Sequence, residues 1–535
     1  MMPCAPLHLS AGERMLAQKN TRKARPKEAL LSKPLAGKQV VLGVSGSVAA
    51  YKAAFVASRL AQLGAKVTTV LTDAGARFVA PLTFQSVTGA PAYTDADLWG
   101  AGGHVLHVGL GRDADLVVIA PATANTLAKL AHGQADNLLT LTALSTHAPL
   151  LVAPAMDGGM FAHPATQANL EALAARGVHL LGPAEGHLAS GLVGKGRMVE
   201  PEAIIGQARY LLTRGGPLQG KRVVVTAGGT QEPIDPVRVV ANRSSGKQGF
   251  ALAQAALDFG AEVVLVSGPT ALPTPAGAQR VDVRTAAEMQ EAVFRHLDEA
   301  DLLLMAAAVA DYRPAAPAEH KIKKGRDRWE LPLTRTTDIL GTLAAQREAF
   351  PRLQLVVGFA AESRDLLEHA QQKLEAKRLD LIVANDITAP QAGFGVDTNK
   401  VTLLYADGLR EDLPLMSKAE VAQAVLLRAL VLLEGGFLGH LVPRRAWERA
   451  QALGEYAPPS LEAEGFIHLS RLDQIPRVQA RFYSGREDLL LLKIRFPAIA
   501  GHLRWEAADG EVFPHLYAPL PLEAVAAAET VTAVL

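Results

Sequence analysis

TAGGTQEPIDPVRVVANRSSGK, residues 226–247, follows the apolar run Val223-Val224-Val225 and joins paired glycines to Asn242, Ser244, Ser245 and Lys247. A β-branched run that stops at glycines reads as a strand entering a loop. Gly228 and Gly229 let backbone N–H groups come close to a phosphate, and a helix after the loop adds its positive end. A glycine pair behind a strand is commonly a turn and nothing more. Here the polar NRSSGK cluster adds the donors and the cation that an anion site requires, so the stretch points to a nucleotide.

On either side the same rhythm recurs. KRVVVTA, AEVVLVSG, DLLLMAAA, LQLVVGFAA and DLIVAND are short apolar runs separated by helix-like stretches such as 286–297 and 365–377. A last helix over 418–433 stops at Gly435-Gly436. Upstream, QVVLGV, KVTTVL, DLVVIA and PLLVAPA alternate with amphipathic stretches, the first over 48–63. Strands alternating with helices predict parallel sheets. The fold class is α/β: two doubly wound Rossmann-like domains, then a small C-terminal α+β domain where strands shorten and prolines grow denser. The expected division is a basic, disordered leader over 1–36, a first domain over 37–200, a linker helix over 201–216, a second domain over 217–435 and a last domain over 436–535.

A chain of 535 residues exceeds what one hydrophobic core sustains. A net charge of +1 offers no global attraction to nucleic acid or membrane, which leaves small molecules as the expected partners. The single cysteine, Cys4, excludes internal disulfides and a Cys-based zinc site and fits a cytoplasmic location. No apolar run is long enough to span a bilayer, and residues 1–38 lack a signal-peptide core. Their lysines and arginines, from Arg14 to Lys38, read as a solvated tail.

GVSGSVAAYK, residues 43–52, places Gly46 and Ser47 between a strand and a helix starting near Val48, where amides and a hydroxyl can hold a phosphate. No Gly-x-Gly-x-x-Gly run is present and Thr72, not an acid, closes the second strand, so a mononucleotide fits better than a dinucleotide. APATANTLAKLAHGQADNLL, residues 120–139, adds a second polar strand end. Over 37–200 the chain resembles the flavoprotein cysteine decarboxylases, and within them the first half of the bifunctional phosphopantothenoylcysteine decarboxylase/phosphopantothenate–cysteine ligase family. The resemblance implies FMN contacts at Gly46, Ser47, Val48, Thr72, Thr123, Ala124, Asn125, Thr126 and Ala155. It also implies a histidine base at His107 in HVGLGRDAD; His104 lacks the family spacing. Two positions depart from the family. Asp157 in PAMD replaces an asparagine, so an acceptor-only carboxylate repels the substrate unless it is protonated or re-aimed. Ser190 in HLASGLVGKGRM replaces a cysteine and is a far weaker acid.

Residues 217–434 are similar to the ligase half. AAAVADYRPAAPAEHKIKK, residues 306–324, puts Asp311 past a strand end with Lys321, Lys323 and Lys324 shortly after. Lysines in such a run are often a solvated face; beside a carboxylate and a glycine-rich loop, phosphate binding is the reading adopted. The resemblance implies that CTP, with Mg2+, activates the carboxylate of 4′-phosphopantothenate and that L-cysteine attacks the acyl-cytidylate. Gly228, Gly229, Asp311, Lys321, Thr337, Asp338, Ile339, Leu340, Phe359, Lys373 and Lys377 are the expected CTP residues, with Asn242 and Lys321 catalytic. DLIVAND, GFGVDTNKVTLL and LPLMSKAEVA complete the family order. Asn385 and Asp386 read as a turn or cap.

HLVP, GFIHLS, LRWEAADG and FPHLYAPLPL are similar to a family of small bacterial domains without an established activity. His440, His468, Arg504, Glu506, His515 and Tyr517 are their notable polar residues. Structural histidines explain them, or His468 and Arg504 beside Glu506 form an anion site; no metal-ligand spacing is present. The family also implies a homo-oligomer, with trimers of decarboxylase domains and dimers of ligase domains. Two other readings stay open: a ligase whose first domain is a flavin-binding scaffold, because of Ser190 and Asp157, and a nicotinamide-dependent oxidoreductase on two Rossmann-like units.

Overall fold

The computed structural model describes residues 33–99, 105–323, 329–362, 365–386, 391, 395–508 and 511–531. In the first unit six strands lie parallel in the order Ala92–Tyr93, Lys66–Leu71, Gln39–Val44, Leu116–Ala122, Leu150–Pro154, His179–Leu180. The chain begins in the middle, builds to one edge, then crosses back over its first strand and builds to the other. Both sheet faces are buried, which is why the strands read as continuous apolar runs. Val40, Leu42 and Val44 pack with helices Ala50–Gln62 and Pro201–Thr213. Val41, Val117 and Ile119 pack with Ala124–His132, Leu138–Ser145 and Pro164–Ala175.

The second unit repeats this order. Ala278–Asp282, Glu262–Ser267, Arg222–Ala227, Leu302–Met305, Leu355–Glu362 and Leu381–Asp386 run parallel, and Val401–Tyr405 and Arg410–Asp412 extend the sheet antiparallel. The C-terminal segment builds an antiparallel sheet of Ser470–Arg471, Phe437–Pro443, Leu489–Arg495 and Val525–Thr530, and a smaller one of Ile467–His468, Glu511–Leu516 and Leu503–Ala508. No helix among the described residues is long and apolar enough to cross a membrane.

Local details differ from expectation. The first helix starts at Ala50, because Ser47 and Val48 are taken up by the turn that leaves the strand. The helix expected as a linker buries Ile204, Ile205, Ala208 and Leu212 in the first core. It also holds the second unit, through Arg209, whose Nε lies 2.6 Å from Asp258 Oδ1. Residues 1–32 of the expected leader lie outside the described residues, while Leu35 within it is buried and its N–H donates to Leu63 O at 3.0 Å.

Lys418–Leu433 is capped by a reciprocal Ser417–Glu420 box and is buried along nearly its whole length. It shares one core with Leu438, Val442, Leu492, Ile494 and Phe496 of the C-terminal segment. At this junction Arg428, 4% exposed, donates through Nε to Glu411 Oε2 at 3.1 Å and lies 5.0 Å from the Trp505 ring centroid. Burial alone would lower its pKa, and the Glu411 carboxylate more than reverses this. Removing one partner of a buried pair leaves the other charge unpaired. Arg428→Ala is therefore expected to cost about 3–5 kcal/mol, read as a lower urea midpoint for the transition of the second unit and C-terminal segment.

Candidate active sites at two strand-end crevices

In an open α/β sheet the first and fourth strands leave their shared end in opposite directions, and ligands bind in the crevice between them. In the first unit Ser45 staples that crevice: its hydroxyl donates to Pro121 O at 2.8 Å and accepts from Thr123 N at 3.0 Å. A Cβ on Gly46 would fall 2.4 Å from Ala74 Cβ, so only glycine lets the two neighbouring loops approach. Thr72 accepts from Gly75 N at 3.1 Å, and Thr123 accepts from Thr126 N at 3.3 Å, each as a helix cap. Ala155 N donates to Ala122 O at 2.9 Å. Gly46, Ser47, Val48, Thr72, Thr123 to Thr126 and Ala155 thus stand at the carboxyl ends of adjacent strands. Val48 is 56% exposed there.

His107 is the second residue of helix Leu106–Asp113, held by Ser145 Oγ donating to His107 O at 2.9 Å. Its Nδ1 is enclosed and has no partner among the described residues. An enclosed polar nitrogen without a partner is uncommon in a native fold. His104 lies outside the described residues. The loop amides and the hydroxyls of Ser47, Thr72 and Thr123 fit a flavin mononucleotide.

The two positions that depart from the family pattern touch each other. A hairpin of Ala184–His187 and Val193–Arg197 folds back so that Gly196 O accepts from Met156 N at 2.9 Å. Ser190, at its tip, donates to Asp157 Oδ2 at 2.5 Å, while Asp157 Oδ1 accepts from Gly159 N at 3.0 Å. The Ser190 hydroxyl, then the Gly159 amide, hold the Asp157 carboxyl below the usual range, so it is charged. Both carboxylate oxygens accept a hydrogen bond from the protein, and the group keeps its negative charge.

The second crevice is stitched more closely. Ala308 N donates to Gly228 O at 2.8 Å, Ala310 N to Thr230 Oγ1 at 2.9 Å, and Asn242 Nδ2 to Val309 O at 2.9 Å. Gly228 has φ +75°, and a Cβ there would lie 2.9 Å from Gly268 O. Asp311 follows and is exposed; its carbonyl accepts from Thr336 N at 3.0 Å. Lys321 is exposed on a strap docked to the hairpin of Gln231–Pro233 and Val239–Ala241. Asp235 and Arg238, which no sequence signal singled out, make that dock: Ile322 N donates to Asp235 Oδ2 at 3.2 Å and Arg238 Nη2 to Ile322 O at 2.9 Å. Arg238 holds the Asp235 carboxyl far below the usual range. Nothing in PIDPVR indicates a partner at 322, because that contact crosses the chain.

Asp338 caps helix Ile339–Ala345 by accepting from Gly341 N at 2.8 Å and pairs with Lys377. Burial pushes its carboxyl up, and Lys377 with the Gly341 amide brings it below the ordinary value. Thr337 is exposed, whereas Ile339 and Leu340 turn their side chains into the core. Lys373 donates to Phe359 O at 2.9 Å. Three expectations need correction. Phe359 was expected at a strand end, but its strand continues to Glu362 and its side chain packs on the core. Lys247 was expected to offer its charge to an anion, but it is bonded to Gly395 O at 3.0 Å and Asp397 Oδ1 at 2.7 Å. Asn385 lies within strand Leu381–Asp386, with Oδ1 enclosed and unpaired among the described residues, and is no turn or cap. Lys324 lies outside the described residues. A cleft of about 790 Å³ between Lys38, Pro217, Asp258, Gln423 and Arg471 includes no residue of either site.

Two doubly wound units, each with a polar loop system at its switch point, define a fused flavin- and nucleotide-type enzyme. Residues 28–211 match the family described as Flavoprotein, 218–432 match the DNA/pantothenate metabolism flavoprotein C-terminal domain, and 441–528 match a family of unknown function. The chain is 46% identical over 395 residues to the coenzyme A biosynthesis bifunctional protein CoaBC of Bacillus subtilis (strain 168), covering 73% of this chain and 96% of that one. It is 44% identical to its Escherichia coli (strain K12) counterpart over 395 residues, with the same two coverages. A solved C-terminal domain of a CoaBC protein is 43% identical over 41% of this chain and all of its own, with a TM-score of 0.35. The chain belongs to the coenzyme A biosynthesis bifunctional protein CoaBC family.

Loss of the carboxylate in Asp235→Ala unpins both hairpin and strap. Amide hydrogen exchange at Ile322 and Arg238 should quicken by about tenfold or more, the size expected for losing hydrogen bonds to a charged group.

Proposed function

We propose that this chain performs two consecutive steps of coenzyme A synthesis in the cytoplasm. The second unit joins L-cysteine to 4′-phosphopantothenate at the expense of CTP, and the first decarboxylates the phosphopantothenoylcysteine to 4′-phosphopantetheine. The observation that carries this reading is the presence, on one chain of this family, of two switch-point crevices with different donor sets. The second, with Lys321, Lys373 and Lys377 near its rim, suits a polyphosphate, for which lysine is a compact point charge. Mg2+ enters with CTP and bridges phosphate oxygens. Asn242 donates to the acyl group as it becomes tetrahedral.

In the first crevice His107 serves as the base. An imidazole suits removal of the substrate's thiol proton. FMN, when bound, supplies the two-electron acceptor that turns the cysteine thiol into an electron sink beside its carboxylate. Ser190 and Asp157 latch the hairpin over the site and limit water.

Incubation with CTP, 4′-phosphopantothenate and cysteine should release both pyrophosphate and CO2. His107→Ala is expected to lower CO2 release by about 10²–10⁴-fold and leave pyrophosphate release unchanged. Lys321→Gln or Asn242→Ala should abolish the pyrophosphate signal. Pyrophosphate without CO2 from the unaltered protein would instead make the first unit a scaffold.

Self-association is part of this reading. Val48, Tyr51 and Phe55 are 56, 65 and 52% exposed, and Tyr51 and Phe55 share one face of their helix beside Leu82, 68% exposed. Such a stripe on a folded surface marks an interface. Light scattering should report a multimer, through trimers of first units and dimers of second units, and Tyr51→Glu with Phe55→Glu should lower the mass.

A further inference from the structure

The C-terminal segment carries a side-chain cluster that neither crevice uses. On the sheet of Ile467–His468, Glu511–Leu516 and Leu503–Ala508, His468 stands opposite His515 and His515 opposite Arg504. Directly paired residues, and residues two apart on one strand, share a face. That face therefore gathers His468, His515, Arg504 and Glu506.

His515 Nδ1 lies 2.6 Å from Glu506 Oε2, and Tyr517 OH donates to the same oxygen at 2.9 Å. An ionised carboxylate only accepts, so this bonding assigns the ring proton to Nδ1 and leaves the lone pair on Nε2. Nε2 takes no bond from any described residue and is not among the enclosed polar atoms. Burial lowers the His515 pKa more than Glu506 raises it, so the ring is neutral near pH 7. His515 is 7% exposed and its ring stacks on Phe466 with centroids 4.2 Å apart; a carboxylate-backed imidazole whose other nitrogen is unbonded is the arrangement of a general base. Beside it, Arg504 is exposed, with its guanidinium carbon 4.3 Å from the Tyr517 ring centroid. By contrast His440 is spent on structure: Nδ1 meets His468 O at 2.7 Å and Nε2 meets Tyr456 OH at 2.9 Å.

We propose that this face is a third ligand site, taking a small phosphate-bearing molecule with its anion on Arg504 and an ionisable phosphate O–H donating to His515 Nε2. A guanidinium fork suits phosphate and carboxylate alike. The lone pair favours phosphate: near pH 6 about half of a phosphate monoester still carries its second proton, whereas a carboxylic acid has already lost its only one.

The test is carbethoxylation of the full chain by diethyl pyrocarbonate at pH 7, followed residue by residue by peptide mass spectrometry. His515 should react well ahead of His440. Inorganic phosphate at four times its dissociation constant should slow His515 about fivefold, while acetate or chloride at equal ionic strength should not. Arg504→Gln should remove the protection and leave ligase pyrophosphate release intact. The proposal is overturned if His515 is as inert as His440, if phosphate gives no protection, if chloride or acetate protects equally, or if the protection survives in Arg504→Gln.

Discussion

Reversal of strand order at the middle of a parallel sheet is the constraint on which the rest of this molecule depends. Where two adjacent strands send their connections to opposite faces, no loop covers the shared end, and backbone groups, helix caps and small residues line an open crevice. This happens twice. In the first sheet a single buried hydroxyl, that of Ser45, closes the gap by serving both Pro121 and Thr123. In the second, Ala308 N donates to Gly228 O and Ala308 O accepts from Thr230 N, so a Gly229–Ala308 bridge continues the sheet beyond its strands. Both devices bring loops from distant parts of the chain to one place without a side chain in the way.

The three segments are joined through shared helices more than through loops. Pro201–Thr213 gives its apolar residues to the first core and Arg209 to Asp258 of the second unit. Lys418–Leu433 lies in one core with the second sheet and the C-terminal segment. A charge in such a junction is costly unless paired; Arg209 pairs with Asp258, and Arg428 with Glu411. Asp258 shows the cost: burial raises its carboxyl despite Arg209.

The Asp157–Ser190 contact joins the two positions that depart from the expected family pattern. Together they form one charge-assisted hydrogen bond that ties the hairpin to the loop after Leu150–Pro154.

Alternating apolar runs with glycine-punctuated ends determined the α/β class, both doubly wound units and the location of their loops, because strand and helix periodicity is local and parallel strands buried on two faces cannot be polar. The glycines at 46 and 228 were legible as close-approach positions for the same reason. The partners of side chains were not. That Lys247 is spent on Asp397, that Asp235 anchors Ile322, that Phe359 packs against the core and that His515 and Glu506 form a dyad were decided only when remote segments met. A charge or ring carries its chemistry in the sequence, but its role depends on which groups desolvate and bond it, and that geometry exists only in the packed chain.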